Sequence, residues 1–155
     1  MINIKYILFF LLIFNFNNSK SQQGNLVMHG AYAFETFKGQ KSCAVYVSIF
    51  NNTEIDFEIS SLSSNVSGRA EIHGIFMDNE IVKMKKITNL TIKSRDQVYL
   101  QPGGMHIMLM DLKEELVDGT SFTIDFLINN QDIMTTDVMV VSNKLRENII
   151  EWKWN

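Results

Sequence analysis

One cysteine, one proline and no run of basic residues set the first limits on this 155-residue chain. Cys43 is the single cysteine, so no disulfide can close within the chain. A fold exported to an oxidising compartment would then be held by its core alone. The thiol sits in SCAVYVSIF (residues 42–50), a half-buried strand pattern in which it reads as a small core group. Pro102, the single proline, falls in a turn before a strand, where it costs no ladder hydrogen bond. The missing basic stretch makes nucleic acid and anionic membrane surfaces poor partners. No Ser/His/Asp order, paired catalytic acids or phosphate loop stands out, so the chain is not expected to be an enzyme.

Long apolar runs are also scarce, with one exception at the start. Residues 1–22 carry a basic Lys5, an apolar stretch from about Tyr6 to Phe16 and then Asn, Ser and Gln. This is the layout of a secretory signal peptide, although no A-x-A cleavage signal appears. The apolar stretch falls short of the roughly 20 residues that a membrane span needs, so no integral span is expected after cleavage near Ser19 to Gln23. The alternative is an uncleaved anchor. Lys5 and Lys20 are the only charges in this segment. Taking them from the 14 basic residues leaves 12 against 17 acidic, a formal charge of −5. Residues 23–142 then form the domain, and 143–155 a tail in which Leu145, Ile149 and Trp152 share a helical face.

What is abundant is β pattern. IDFEIS puts Ile55, Phe57 and Ile59 on one face, and SFTIDFLIN does the same with Phe122, Ile124, Phe126 and Ile128. AVYVSIF, DQVYLQ and DIMTTDVMVV add further strands, separated by NNTE, SSNVSG, MDNE, QPGG, VDGT and NNQD. Many short strands at regular spacing predict an all-β sandwich or barrel.

Histidine and methionine are arranged within that pattern. In GGMHIMLMDL (residues 103–112), strand alternation turns His106, Met108 and Met110 one way and Met105, Ile107 and Leu109 the other. The second set is a core face. The first places His106 beside Met108. Upstream, a two-residue hairpin turn at Asp78-Asn79 would oppose Met77 to Glu80, Ile75 to Val82 and His73 to Met84. Each segment thus offers one imidazole and one thioether. Thioether sulfur is soft and selects Cu(I), and imidazole also suits copper. Zinc would find such a site poor. A thioether also cannot be lost to a disulfide outside the cytoplasm. Methionines equally serve as gap fillers in β proteins, so spacing alone leaves packing and ligation both open.

The spacing of His73, Met84, His106 and Met108 is H-x10-M-x21-H-x-M. With AEIHGIFMDNEIVKMKKI and YLQPGGMHIMLMDLKEELVDGTSFTIDF, it resembles the periplasmic copper chaperone family PCu(A)C, from about Leu26 to Val141. The resemblance implies a cupredoxin-like Greek-key β-sandwich and a single Cu(I) held by His73, Met84, His106 and Met108. It implies delivery of copper to the binuclear copper centre of cytochrome c oxidase, directly or through a Sco-type copper protein. With the signal-peptide layout, the expectation is a monomeric periplasmic or secreted carrier that passes copper by ligand exchange. A copper storage or resistance protein and a metal-free extracellular binding module are the alternatives. A blue-copper electron carrier would need a cysteine ligand, and Cys43 has no ligand pattern beside it. Met110 reads as core, Met77 as a semi-exposed neighbour and His29 as lying on the first strand without an assigned role. The tail holds neither histidine nor methionine, unlike the His- and Met-rich tail through which some relatives bind a second copper.

Overall fold

The computed structural model describes residues 25–78 and 81–145. The expected signal peptide, Ile149 and Trp152 lie outside them. The described chain is almost entirely strand. In order these are β1 (Leu26–Phe34), β2 (Ser42–Asn51), β3 (Phe57–Ser64), β4 (Ser67–Asp78) and β5 (Ile81–Ile87). There follow β6 (Leu90–Ile92), β7 (Gln97–Leu100), β8 (His106–Leu112), β9 (Ser121–Ile128) and β10 (Asp132–Val141). Residues 143–145 are helical, in the tail where a short helix is expected. Among the described residues no helix is long and apolar enough to cross a membrane.

Hydrogen bonding runs in the order β5-β4-β8-β2-β1-β10-β9-β3-β6, with β7 paired to β2. A further pairing of Leu62 with Ala70 joins β3 to β4 and closes seven of the strands into a ring. The β1–β10 pairing is parallel, while the other strand pairings are antiparallel. Neighbours in space are mostly not neighbours in sequence, as a cupredoxin-like β fold requires. Period-two burial supplies the inside: β2 and β9 alternate strictly between buried and partly exposed residues. Val45, Ile107, Leu109, Ile124 and Phe126 are all fully buried there. Cys43 joins this core opposite Leu109, and burial pushes its thiol up to about 12. The thiol is therefore neutral in the metal-free protein.

Two expectations need correction. Ile55 does not extend β3. It is exposed, and the strand begins at Phe57. The chain around Ile55 instead folds onto Asn51, which is buried. The Asn51 Nδ2 donates to the carbonyls of Ile55 at 2.7 Å and Lys93 at 2.9 Å, and its Oδ1 accepts from the Thr53 N–H at 3.0 Å. A side-chain bridge thus replaces two residues of ladder. The β4–β5 register also differs. Met77 faces Val82, Ile75 faces Met84 and His73 faces Lys86. The turn lies one residue later than expected, which moves every pair by two positions. That register sets Val82 against Met77 and Ile87 against Ile72. The expected one would have set Glu80 and Lys85 there. Apolar cross-strand pairing accounts for the choice.

The loop beyond Asn51 also carries a pH-dependent clamp. Asp56 accepts from the Lys93 ammonium at 2.8 Å and from the Ser94 N–H at 2.8 Å, and these bonds hold its carboxyl below its ordinary value. A lowered folded-state pKa gives stability that is present above the unfolded value and lost as pH falls through the folded one. Asp56→Asn should therefore lower the urea midpoint modestly at neutral pH. The gap to the wild type should close below about pH 4. Parallel urea titrations across that range check it, and a gap constant with pH would remove Asp56 as the titrating group.

Candidate metal centre

The site is built on the outer face of β4 and β8. The β4–β8 register sets His73 directly opposite His106, and Glu71 opposite Met108. The two imidazole rings lie 6.0 Å apart between centroids at an interplanar angle of 67°. A ring nitrogen sits about 1.2 Å from its centroid and a metal–imidazole bond is about 2.0 Å, the zinc value, so two rings sharing one ion can be up to roughly 6.4 Å apart. The observed separation falls within that reach. Met108 follows His106 by two residues and shares its face. Met84 stands opposite Ile75, not His73. A register shift of two keeps the face, so Met84 still projects on the same side as His73, one diagonal step away. Of the four candidates, the histidines are brought together directly. Met108 and Met84 flank them at the two ends.

Exposure grades the four. His106 is only 7% exposed, while Met84 is 64% exposed. His73 and Met108 are half-buried. Met84, His106 and Met108 line a cavity of about 400 Å3, whose wall also includes Phe37, Tyr46 and Gly103.

The QPGG turn orients His106. The Gly104 N–H donates to the Gln101 carbonyl at 3.0 Å, with Pro102 next after Gln101 and Gly103 at φ 77°. Proline followed by a left-handed glycine is the type II pattern. Any side chain at position 103 would carry the cost of that left-handed backbone. The turn leaves the Gly104 carbonyl 3.1 Å from His106 Nδ1. A carbonyl can only accept, so Nδ1 carries the proton and Nε2 is left with its lone pair.

His73 has a different partner. Its Nε2 lies 3.1 Å from Glu71 Oε2, and the Lys86 ammonium donates to Glu71 Oε1 at 3.0 Å. The His73 hydrogen bond first, and then that from Lys86, hold the Glu71 carboxyl below its ordinary value. Sequence reasoning passed over Glu71. The signal was there, because Glu71 and His73 are two apart on one strand and must share a face. Three other side chains fall where they contribute nothing to the cavity wall. Met110 stands on the outer face opposite Arg69 and Ser42, and so is not the core residue expected. Met77 is more exposed than expected, and His29 stands opposite Ser48 on β1 and β2.

Among the described residues, no group of three or more His, Cys, Asp or Glu could hold an ion. Two opposed imidazoles with two thioethers on the same face are a donor set that would fit a soft cation, Cu(I) above all.

A model of LpqE-like lipoproteins matches residues 26–140. The chain belongs to the LpqE-like family. This is the PCu(A)C family that the motif resembles. Within the LpqE-like family's fold, the copper-bound PCuAC domain from PmoF2 is similar with a TM-score of 0.65 at 14% identity. That likeness covers 77% of this chain and 95% of that one. The apo PCuAC domain from PmoF1 gives 0.64 at 19%, covering 77% and 96%. The solution structure of CuI-DR1885 from Deinococcus radiodurans gives 0.62 at 21%, covering 81% and 84%. Identities this low carry the fold. In sequence, the uncharacterized protein RP573 of Rickettsia prowazekii (strain Madrid E) is 30% identical over 101 residues. The match takes in 64% of this chain and spans 56% of that protein's length.

Proposed function

We propose that this LpqE-like protein is an extracytoplasmic Cu(I) carrier, not an enzyme, and that it binds one ion through His73, Met84, His106 and Met108. The observation that carries the reading is the direct opposition of His73 and His106, with Met108 and Met84 on the same face. The copper named in the PmoF2 and DR1885 structures supports it, and the lipoprotein family description supports a place outside the cytoplasm. The recipient in this reading is the copper subunit of cytochrome c oxidase or a Sco-type copper protein on the way to it.

Release follows from the gradient of exposure. Met84 faces solvent, so a partner's stronger sulfur donor displaces it first at little steric cost. His106, buried and anchored to Gly104, is the last to let go. Two neutral thioethers hold the ion less tightly than thiolates would, which suits a carrier that must surrender its cargo.

The test is an anaerobic competition titration with Cu(I) on the wild type, Met84→Leu and Met108→Leu. Leucine keeps volume and apolarity while removing sulfur, so the fold survives. One copper per chain is expected, with each variant weakened about tenfold, equivalent to about 1.4 kcal/mol. If both variants bind like the wild type, the four-residue site is wrong.

A further inference from the structure

We propose that Glu71 is a positioning residue for the metal centre: its carboxylate accepts a hydrogen bond from the Nε2–H of His73 and so makes Nδ1 the nitrogen that His73 offers. The inference rests on the Cu(I) reading above and goes beyond its four ligands. The geometry gives the two facing histidines opposite anchors. His106 Nδ1 lies 3.1 Å from the Gly104 carbonyl, and His73 Nε2 lies 3.1 Å from the Glu71 carboxylate. Both acceptors lack a proton to give, so each ring must donate. His106 then presents Nε2 and His73 presents Nδ1. The two rings meet from β8 and β4 with unlike nitrogens, at the 67° tilt observed between them.

Glu71 is itself held. Lys86, the residue opposite His73 across the β4–β5 pairing, binds its other oxygen at 3.0 Å. The carboxylate is thus clamped between an ammonium and an imidazole, with both oxygens engaged. Carboxylate oxygen is a hard donor and a poor partner for a soft monovalent ion. Its contribution therefore passes through the ring. A carboxylate on the far nitrogen of a metal-bound imidazole fixes the tautomer, orients the ring and raises its basicity. The Lys86 clamp further restricts the carboxylate to the orientation that serves His73.

The experiment reads the ring nitrogens by 15N NMR in the wild type, Glu71→Gln and Glu71→Ala, before and after addition of Cu(I), beside anaerobic competition titrations. In the metal-free wild type, His73 is expected as the Nε2–H tautomer and His106 as the Nδ1–H tautomer. Cu(I) should then shift Nδ1 of His73 and Nε2 of His106. Glu71→Ala should give His73 a mixture of tautomers and weaken Cu(I) about tenfold, the low end of what such partners contribute. Glu71→Gln keeps an accepting oxygen and should restore the Nε2–H tautomer. A His73 protonated on Nδ1 in the metal-free wild type, or ligation through its Nε2, overturns the proposal. So does Glu71→Ala with wild-type tautomer and affinity. The metal-free spectra decide the point even if the wild type fails to bind Cu(I), a result that would instead overturn the carrier function.

Discussion

His106→Ala is expected to weaken Cu(I) binding by at least about a hundredfold, or roughly 2.7 kcal/mol, the largest loss at any single position of the site. Three features single out His106 from the other donors. It is the most buried of the four, so its bond to the ion is shielded from competing water. Its ring is fixed in advance by the Gly104 carbonyl, so little order has to be created when the ion arrives. Its strand neighbours Ile107 and Leu109 are fully buried, which makes the backbone beneath it rigid. Met84 lies at the opposite extreme, exposed on an outermost strand of the sheet, and its loss should matter less. The measurement is the same anaerobic competition titration, with His29→Ala as a control that should leave binding unchanged. His106→Gln, which retains a polar side chain at the half-open cavity, guards against a folding artefact. If both His106 variants melt as the wild type does and bind Cu(I) equally well, the opposed histidines are not the heart of a metal site.

The reason so much of this site was readable lies in strand alternation. A period of two needs no knowledge of neighbours: once MHIMLM is a strand, His106 and Met108 must face away from Ile107 and Leu109. The same rule placed Phe122, Ile124, Phe126 and Ile128 in the core, where all four are buried. Register was harder, because it depends on the turn. A turn at Asn79-Glu80 competes with one at Asp78-Asn79, and the decision fell to apolar pairs such as Ile72 with Ile87. The error moved His73 from opposite Met84 to opposite Lys86, yet left both candidate donors on one face. The pairing of His73 with His106 could not be read at all. It joins residues more than thirty positions apart in the chain and exists only because β4 and β8 lie side by side. Ile55 was misplaced for a local reason, since alternation continued past the point where the Asn51 side chain captured the backbone.

Away from the metal centre, Phe126→Ala should cost about 3–5 kcal/mol of folding stability. Phe126 is fully buried at the middle of β9, with Met134 of β10 opposite it on one side and Leu62 of β3 on the other. It is the largest of the fully buried side chains. Truncation removes the ring's transfer free energy and leaves a void, because both flanking strands are tied into the closed ring and cannot collapse onto it. A domain of this size has a total stability of only about 5–15 kcal/mol, and Cys43 offers no disulfide to supplement it. The melting temperature should therefore drop by roughly 10–20 °C. Phe126→Leu, which keeps most of the volume, should lose much less. Phe122→Ala, at the start of the same strand, should fall between them. The comparison must be made without copper, because any ligand that binds only the folded form adds to apparent stability. With saturating Cu(I), wild type and Phe126→Ala should gain the same increment, since Phe126 lies on β9 and the donors on β4, β5 and β8. An unchanged melting temperature for Phe126→Ala would place the stabilising core elsewhere. An increment that differs between the two proteins would mean that the barrel interior and the metal face are coupled through the sheet.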